Sequence, residues 1–199
     1  MRYRPVVVTL FAATALVALS GCTGGGSQPT GTAAVTTPQA DISGEWVVTR
    51  TVATSNDASN PARVVGATSV RYLMVDRDDC DEQVCDGTVS SGATLEGRVQ
   101  TELAQTDGGF DYTFAGNLDC MNSATGGVLV VGGFAYSQTA KLTVGATTDV
   151  DGTPTAATLT GTIDYTDSPT ADAIEAGCTR DPLTVDVEYT VTATRPPVG

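Results

Sequence analysis

An arginine in the first predicted strand is the side chain best placed to bind a ligand. Trp46, Val48, Arg50 and Val52 occupy alternate positions, so Arg50 faces inward if Trp46 does. A buried guanidinium requires an acidic partner or an anionic ligand. One interpretation is that Arg50 holds a carboxylate or phosphate headgroup inside a cavity. The other is that Arg50 lies near the cavity mouth, where it reaches solvent or pairs with a structural acid.

Five tyrosines fall on strand positions that can also face inward. Tyrosines with apolar neighbours can line a pocket for an amphipathic ligand, because each ring combines an apolar body with one polar group. The alternative is that they are core residues whose hydroxyl groups lie near a rim. These candidate ligand-binding residues are Tyr72, Tyr112, Tyr136, Tyr165 and Tyr189.

The chain contains no histidine, which excludes serine–histidine–aspartate and cysteine–histidine catalysis and every histidine-ligated metal site. Paired carboxylates can serve glycoside hydrolysis, but the acidic residues here fall largely on outward strand positions and in loops. The sequence therefore predicts a protein that is not an enzyme and that uses no cofactor.

A run of acidic residues surrounds Cys80 and Cys85 and offers the oxygen ligands that calcium prefers. The run lacks the glycine and the final glutamate of an EF-hand loop. We therefore expect solvated acids in an exposed loop, and no metal site. The acids are Asp76, Asp78, Asp79, Asp81, Glu82 and Asp86.

The charge balance excludes one class of partner. The chain has 23 acidic residues against 10 basic ones, a net charge of −13. Nucleic-acid binding requires lysines and arginines clustered on one face, so no nucleic-acid partner is expected. We expect a monomer whose partner is either a small amphipathic ligand or another protein.

The beginning of the chain has the features of an export signal. Arg2 and Arg4 precede an apolar stretch over residues 5–19, which is short for a membrane-spanning helix and typical of a signal peptide. The following Leu19-Ser20-Gly21-Cys22 resembles the lipobox of bacterial lipoproteins. The resemblance implies cleavage of residues 1–21 and a diacylglyceryl group, with further acylation of the new terminus, on Cys22. The alternative is an ordinary secretory signal with a chance cysteine.

Residues 23–40 are rich in Gly, Ser, Thr, Pro and Gln, a composition that predicts a flexible linker. Removal of two arginines with residues 1–21 leaves 23 acids and 8 bases, a charge of −15. Such a surface is not attracted to anionic lipid headgroups, so the lipid on Cys22 is expected to provide the anchor. The predicted location is the extracytoplasmic face of the cell membrane.

Four further cysteines suit an oxidising compartment. An even number in an exported domain predicts two disulfides, for which three pairings are possible. We favour a short Cys80–Cys85 loop and a long Cys120–Cys178 loop. A four-thiolate zinc site would need paired short spacings, and the chain has only one short spacing, C-x(4)-C.

The elements that must position these residues are strands. From Ile42 onwards, apolar and polar residues alternate with a period of two, most clearly in the last strand. One short helix is predicted from Ser168 to Gly177, with Ser168 as its cap and Pro169 in its first position. Hairpin turns are predicted at residues 90–92, 107–109 and 151–152. The predicted strands cover about 45–53, 68–76, 83–90, 95–103, 110–114, 127–137, 139–147, 159–165 and 183–194.

Strands joined mostly by short turns predict an all-β domain over residues 41–199. A meander with one apolar face closes as an antiparallel up-and-down β-barrel or folds as a β-sandwich. We favour a barrel of about eight or nine strands, because closure removes exposed edges. Large inward residues favour a filled interior, whereas Gly97, Gly132 and Gly161 favour a hollow one.

The segment Ile42-Ser43-Gly44-Glu45-Trp46 resembles the G-x-W start of lipocalins and related up-and-down barrels. The resemblance implies that Trp46 plugs one end of the barrel and that Arg195, after the last strand, packs across its indole. The other lipocalin motifs and their long C-terminal helix are not found. The chain also resembles exported lipoproteins of high-GC Gram-positive bacteria, which share a tethered, strand-rich domain with a C-x(4)-C hairpin.

Taken together, the sequence predicts a membrane-anchored, cell-surface lipoprotein without enzymatic activity. In this hypothesis the barrel binds a small apolar or amphipathic ligand. The alternative is a structural or protein-interaction module that uses its acidic outer face.

Overall fold

The structure of the chain is a computed structural model that describes residues 39–80, 85–94, 96–106 and 108–196. The predicted signal peptide, Cys22 and the predicted linker up to residue 38 lie outside the described residues. The same holds for the side chains of the acidic run from residue 78 to residue 86. Residues 37–199 form one compact unit.

The described residues fold into ten strands and two very short helices. One of these, a 3₁₀-helix over Pro61–Arg63, follows the first strand. The other, α1 over Ala171–Glu175, precedes the last strand. The strands are β1 (Gly44–Ser55), β2 (Thr68–Cys80), β3 (Cys85–Gly92), β4 (Val99–Thr106), β5 (Gly109–Met121), β6 (Val128–Val144), β7 (Thr147–Val150), β8 (Thr153–Ala156), β9 (Thr158–Pro169) and β10 (Val185–Thr194).

Eight of the strands close into one antiparallel barrel. From β1 the order round the barrel is β2, β3, β4, β5, β6, β9 and β10, and β10 pairs again with β1. β7 and β8 form a separate hairpin in the connection between β6 and β9. The prediction of an all-β up-and-down barrel is confirmed, and the β-sandwich is excluded because a single sheet closes on itself.

Alternation along the strands decides which residues enter the barrel. In β10, residues 185, 187, 189, 191 and 193 are buried, and those between them are more exposed. β1 follows the same rule through Trp46, Val48 and Val52. Successive side chains of a strand point to opposite faces. One residue known to face inward therefore identifies the other inward residues of a regular strand.

One end of the barrel is filled by apolar side chains. We call it the floor; it is the end at which β1 begins and β10 ends. Trp46, Leu73, Phe110, Leu142 and Leu159 lie there and are at most 1% exposed. Burial of each contributes on the order of 2 kcal/mol. The opposite end, the mouth, carries the β1–β2 connection (residues 56–67) and the β9–β10 connection (residues 170–184).

Several predicted element boundaries are wrong. Segments 127–137 and 139–147 were predicted as two strands, but β6 runs continuously through Ser137, Gln138 and Thr139. These polar side chains interrupt the apolar pattern, while the backbone stays paired with β5 and β9. Residues 90–92 belong to β3 rather than to a turn, and the next strand begins at Val99 rather than at 95.

The helix before the last strand is shorter than predicted. Ser168 and Pro169 still belong to β9, where Pro169 pairs with Phe134. Thr170 therefore caps α1, and its side chain accepts a hydrogen bond from the Ala173 backbone N at 3.3 Å. Gly177 follows the helix with a φ of 78°, a left-handed conformation that suits glycine at a helix end.

The predicted turn at residues 151–152 is confirmed. Asp151 and Gly152 have φ angles of 53° and 83°, which is the backbone required by a two-residue hairpin turn with both central residues left-handed. Of the predicted turn at 107–109, Gly108 is described with a φ of 79° and Gly109 begins β5.

The predicted Cys120–Cys178 disulfide is confirmed. It joins β5 to the segment after α1, with Cα atoms 6.3 Å apart and a sequence separation of 58. The two cysteines and Ala173 form a small second core beside the barrel. Cys80 lies directly opposite Cys85 in the pairing of β2 with β3, a relation compatible with a disulfide; the bond between them stays a prediction.

Among the described residues, no helix has both the length and the apolar character that crossing a membrane would require.

Candidate ligand-binding site

Two adjoining cavities occupy the half of the barrel nearest the mouth. The first has a volume of about 130 Å³ and is enclosed by strands of the barrel wall. The second, of about 320 Å³, is also bounded by Ala62 and Arg63 of the 3₁₀-helix. Arg50, Arg71 and Gln138 line both cavities. The combined space is of the size that proteins use for small ligands.

Arg50 faces this space from β1. Its Nε donates to Ser69 Oγ at 2.8 Å, and its Nη1 lies 3.5 Å from Gln138 Oε1. The guanidinium carbon is 4.7 Å from the centroid of the Tyr189 ring. All three partners are neutral. In the part of the chain that the structure describes, the ion pairs involve other arginines and no carboxylate pairs with Arg50.

The environment of Arg50 disfavours its charge without removing it. Burial lowers the pKa of Arg50, and the neighbouring positive charge of Arg71 lowers it further. A guanidinium nevertheless remains protonated in proteins. A partly buried cation whose hydrogen-bond partners are all neutral is a favourable site for an anion.

Arg71 supplies a second guanidinium from the adjacent strand. In the pairing of β1 with β2, Arg71 lies opposite Val48, and Ser69 lies opposite Arg50. Arg71 is thus the inward neighbour of Arg50 one step towards the floor. Its Nη1 donates to the Val70 carbonyl at 3.1 Å. The described lining of both cavities contains no aspartate or glutamate.

Four of the five predicted tyrosines line the cavities. Tyr112 and Tyr136 contribute to the first cavity, and Tyr165 and Tyr189 to the second. Burial raises the pKa of Tyr112 well above its usual range, although Arg50 opposes the shift. The Tyr136 and Tyr165 rings are stacked with centroids 6.4 Å apart.

Tyr72 does not reach the cavities, which corrects the expectation that it faces inward. It lies on β2 between Leu73 and Arg71, and Leu73 is buried at the core while Tyr72 is only partly buried. Its neighbours across a surface depression are Thr94 and Glu96 of the β3–β4 loop. The side-chain alternation of the strand therefore places Tyr72 on the outer face.

The mouth is crossed by an ion-pair network centred on Arg63. Its Nη1 is 3.1 Å from Asp57 Oδ2, and its Nη2 is 3.1 Å from Asp167 Oδ2 on β9. Asp167 is only 2% exposed, and it also pairs with Arg180 and accepts a hydrogen bond from the Tyr165 hydroxyl at 2.7 Å. The network fastens the β1–β2 connection across the barrel entrance.

The β1–β2 connection is also stabilised locally. Asn60 caps the 3₁₀-helix by accepting a hydrogen bond from the Ala62 backbone N at 3.0 Å. Ser59 Oγ donates to Asp57 Oδ1 at 2.6 Å. This hydrogen bond and the neighbouring Arg63 lower the pKa of Asp57, against the opposing effect of burial.

The floor has the arrangement that the G-x-W resemblance implies. The guanidinium carbon of Arg195 lies 4.0 Å from the centroid of the fully buried Trp46 ring. Arg195 also donates to the carbonyls of Ser43 and Ala156. Gly44 has a φ of 99°, a backbone conformation that favours glycine, and a Cβ there would stand 2.9 Å from Arg195 Nη1 and displace the guanidinium.

Sequence reasoning missed Arg71, Gln138 and Arg63. The signal for Arg71 was present, because it shares the inward positions of β2 with Leu73 and Val75. Gln138 was hidden by the predicted break between two strands. Arg63 carries no local signal, because its partners Asp57 and Asp167 meet only in the folded chain.

A scan against models of protein families, a search of curated proteins and a search of solved structures each found no match to this chain.

Proposed function

We propose that this protein is a lipid-anchored, non-enzymatic lipoprotein on the extracytoplasmic face of a cell membrane, and that its barrel binds a small amphipathic ligand. One observation carries the ligand proposal. Arg50 lies in a cavity wall among Ser69, Gln138 and Tyr189, with no acidic residue in the described lining. The lipid anchor is supported by Leu19-Ser20-Gly21-Cys22 and the apolar stretch before it.

Together, the two adjoining cavities offer polar and apolar side chains, as an amphipathic ligand requires. Arg50 and Gln138 can hold a polar headgroup. Val48, Phe114 and Ile163 of the first cavity can contact an apolar body. Ligand pockets of this kind are mostly apolar, with a few polar groups that fix the orientation.

Native mass spectrometry tests the ligand proposal. Because the barrel closes within residues 37–199 and has its core there, this segment can be exported alone through an oxidising compartment. We expect a bound mass of a few hundred daltons that is lost in Arg50→Ala. A clean unliganded mass in a folded, fully oxidised protein would favour the alternative, a protein-interaction module.

Cell fractionation tests the anchor in the full chain. We expect Cys22→Ser to move the protein out of the membrane fraction, because the thiol that carries the lipid is absent. Substitution of Ser20→Ala, which keeps a small residue in the resembling motif, serves as the matched control and should leave the protein with the membrane. Persistence of Cys22→Ser in the membrane fraction would contradict the proposed anchor.

A further inference from the structure

The positive charge of the barrel is concentrated at one place in its interior. Of the eight basic residues after residue 21, three line the two cavities, namely Arg50, Arg63 and Arg71. This occurs in a chain whose net charge is −13. The interior therefore has the opposite sign to the protein as a whole, and opposite charge at a cleft concentrates the matching ligand.

Two of these three positive charges have no acidic partner among the described residues. Arg63 pairs with Asp57 and Asp167, and Arg180, which shares Asp167, completes a network of two acids and two bases. Arg50 and Arg71 make no ion pair with a described carboxylate; their hydrogen bonds go to Ser69, Gln138 and a backbone carbonyl. The unliganded cavity thus carries about two uncompensated positive charges.

We propose that the ligand of the barrel is an amphipathic phosphate monoester, whose dianionic headgroup lies between the guanidinium groups of Arg50 and Arg71. This inference rests on the proposed function and names the chemical class of its ligand. A dianion matches the charge of two arginines, whereas a carboxylate would leave one of them uncompensated. Guanidinium groups also bind phosphate oxygens in a bidentate manner.

The neighbouring groups complete a phosphate site. The Ser69 hydroxyl already contacts Arg50 Nε at 2.8 Å, and it has a proton to donate to a headgroup oxygen. The Gln138 amide, whose oxygen faces Arg50 at 3.5 Å, has two N–H groups available for the same purpose. The apolar side chains Val48, Phe114 and Ile163 would contact the hydrocarbon part.

Calorimetric titration of residues 37–199 with octyl phosphate, octanoate, octanol and inorganic phosphate tests the inference. At about pH 8 we expect octyl phosphate to bind about tenfold more tightly than octanoate, the equivalent of one charge-assisted hydrogen bond. Inorganic phosphate should bind more weakly than octyl phosphate, because it lacks the apolar part. Equal affinity for octanoate, or for inorganic phosphate, would overturn the proposal.

The pH dependence gives a second readout. The second proton of a phosphate monoester dissociates near pH 6, so affinity for octyl phosphate should rise between about pH 5 and about pH 8, while that for octanoate, whose carboxyl group is already largely ionised in this range, should change much less. The titratable and charged groups in the described lining are Arg50, Arg63, Arg71 and the tyrosines 112, 136, 165 and 189. Asp57 and Asp167 at the mouth are paired with Arg63.

Variants at one position separate charge from fold. Arg71→Gln should reduce the affinity for octyl phosphate about tenfold and flatten its pH dependence, with a smaller loss for octanoate. Arg71→Lys keeps the charge and should retain most of the preference for phosphate. Lys141→Gln removes a positive charge from the exposed outer face of β6 and should leave all affinities unchanged; an equal effect of Lys141→Gln and Arg71→Gln would overturn the proposal.

The outcomes distinguish the two levels of inference. Binding of octanol or octanoate without a preference for octyl phosphate would leave a ligand-binding barrel and contradict only the phosphate headgroup. Failure of all three octyl compounds to bind the folded protein would contradict the proposed ligand-binding function as well.

Discussion

At the residue scale, the partly buried arginines fall into two groups, those that stabilise the fold through acidic partners and those available to bind a ligand. Arg63 and Arg180 lie beside acidic partners at the mouth of the barrel. Arg50 has only neutral hydrogen-bond and ring partners, and its charged neighbour Arg71 has the same sign. Desolvation of a charge lowers the free energy of unfolding unless a partner of opposite charge offsets it. We therefore expect the Arg50 guanidinium to lower the stability of the fold when no anion is bound.

Replacement of Arg50 should therefore not destabilise the empty barrel. For Arg50→Met we expect the free energy of unfolding to be unchanged or raised by about 1 kcal/mol, because the apolar stem is kept and the buried charge is removed. For Arg63→Met we expect a loss of about 2 kcal/mol, because Asp57 and Asp167 lose a charged partner. Urea denaturation of both variants checks this; a large loss of stability in Arg50→Met would show that its role is structural.

In contrast to Arg50, the residues of the floor stabilise the fold. Trp46 is fully buried, and its Nε1 donates to the Ile42 carbonyl at 2.9 Å. Arg195 covers the indole and contacts two backbone segments, one through the carbonyls of Asp41 and Ser43 and the other through the carbonyl of Ala156. This stacked pair therefore contributes to the closure of the floor.

Truncation of either member of this pair should lower stability. We expect Trp46→Ala to cost about 3–5 kcal/mol, because it leaves a cavity in the core. Arg195→Ala should cost about 1–3 kcal/mol through the lost cation–π contact and hydrogen bonds. Chemical denaturation monitored by circular dichroism measures both. A stability loss below about 0.5 kcal/mol for Arg195→Ala would contradict a structural role of the guanidinium.

At the element scale, the β1–β2 connection is the part of the fold most dependent on charge. Its attachment across the mouth is the ion pair between Arg63 and Asp167 of β9. Within the connection, Asp57 pairs with Arg63 and accepts a hydrogen bond from Ser59. These contacts lower the pKa of Asp57 in the folded protein. We therefore expect acidification to weaken the β1–β2 connection at a higher pH than it weakens the barrel wall, which is held by backbone hydrogen bonds.

The sign of this pH dependence follows from the lowered pKa of Asp57. The carboxylate stabilises the folded state at any pH above the ordinary aspartate pKa of about 3.9, and its contribution is lost as the pH falls towards the lower folded-state value. We expect Asp57→Asn to reduce the free energy of unfolding by about 1 kcal/mol at neutral pH. The difference from wild type should shrink below about pH 4; a difference independent of pH would contradict this origin.

At the scale of the whole molecule, negative charge dominates. The chain after residue 21 has 23 acids against 8 bases, and most of the acids that the structure describes are exposed on the outside of a small barrel. Self-repulsion of this kind destabilises a compact state, and salt screens it. The protein is therefore expected to be more stable in moderate salt than in dilute buffer.

Thermal unfolding of residues 37–199 at increasing NaCl tests this expectation. We expect the melting temperature to rise by a few degrees between about 0.01 and about 0.3 M salt. Lys141 is paired opposite Asp111 on β5, so Lys141→Glu should enlarge the salt response, and Lys141→Arg should leave it unchanged. A melting temperature that falls with added salt would contradict the expectation that repulsion between acidic side chains is the main effect of charge on stability.

The sequence by itself determined most of the strands and most of their inward positions, because period-two alternation is a local property of a chain with one buried face. It favoured closure into a barrel without excluding a sandwich, since both folds have strands with one buried face. Arg50 was found by the same rule. The same rule places Arg71 on the inner face of β2 and Tyr72 on its outer face, so the expectation that Tyr72 faces inward is wrong.

Only the tertiary structure decided which part of the interior is filled and which part is a cavity. This division depends on which side chains of the eight strands come together at the same height along the barrel. It also decided which arginines have acidic partners. Arg63 meets Asp167 across 104 residues of sequence, whereas Arg50 meets no described acid. Contacts between residues so far apart are set by barrel closure and strand register, and no local pattern of residues encodes them.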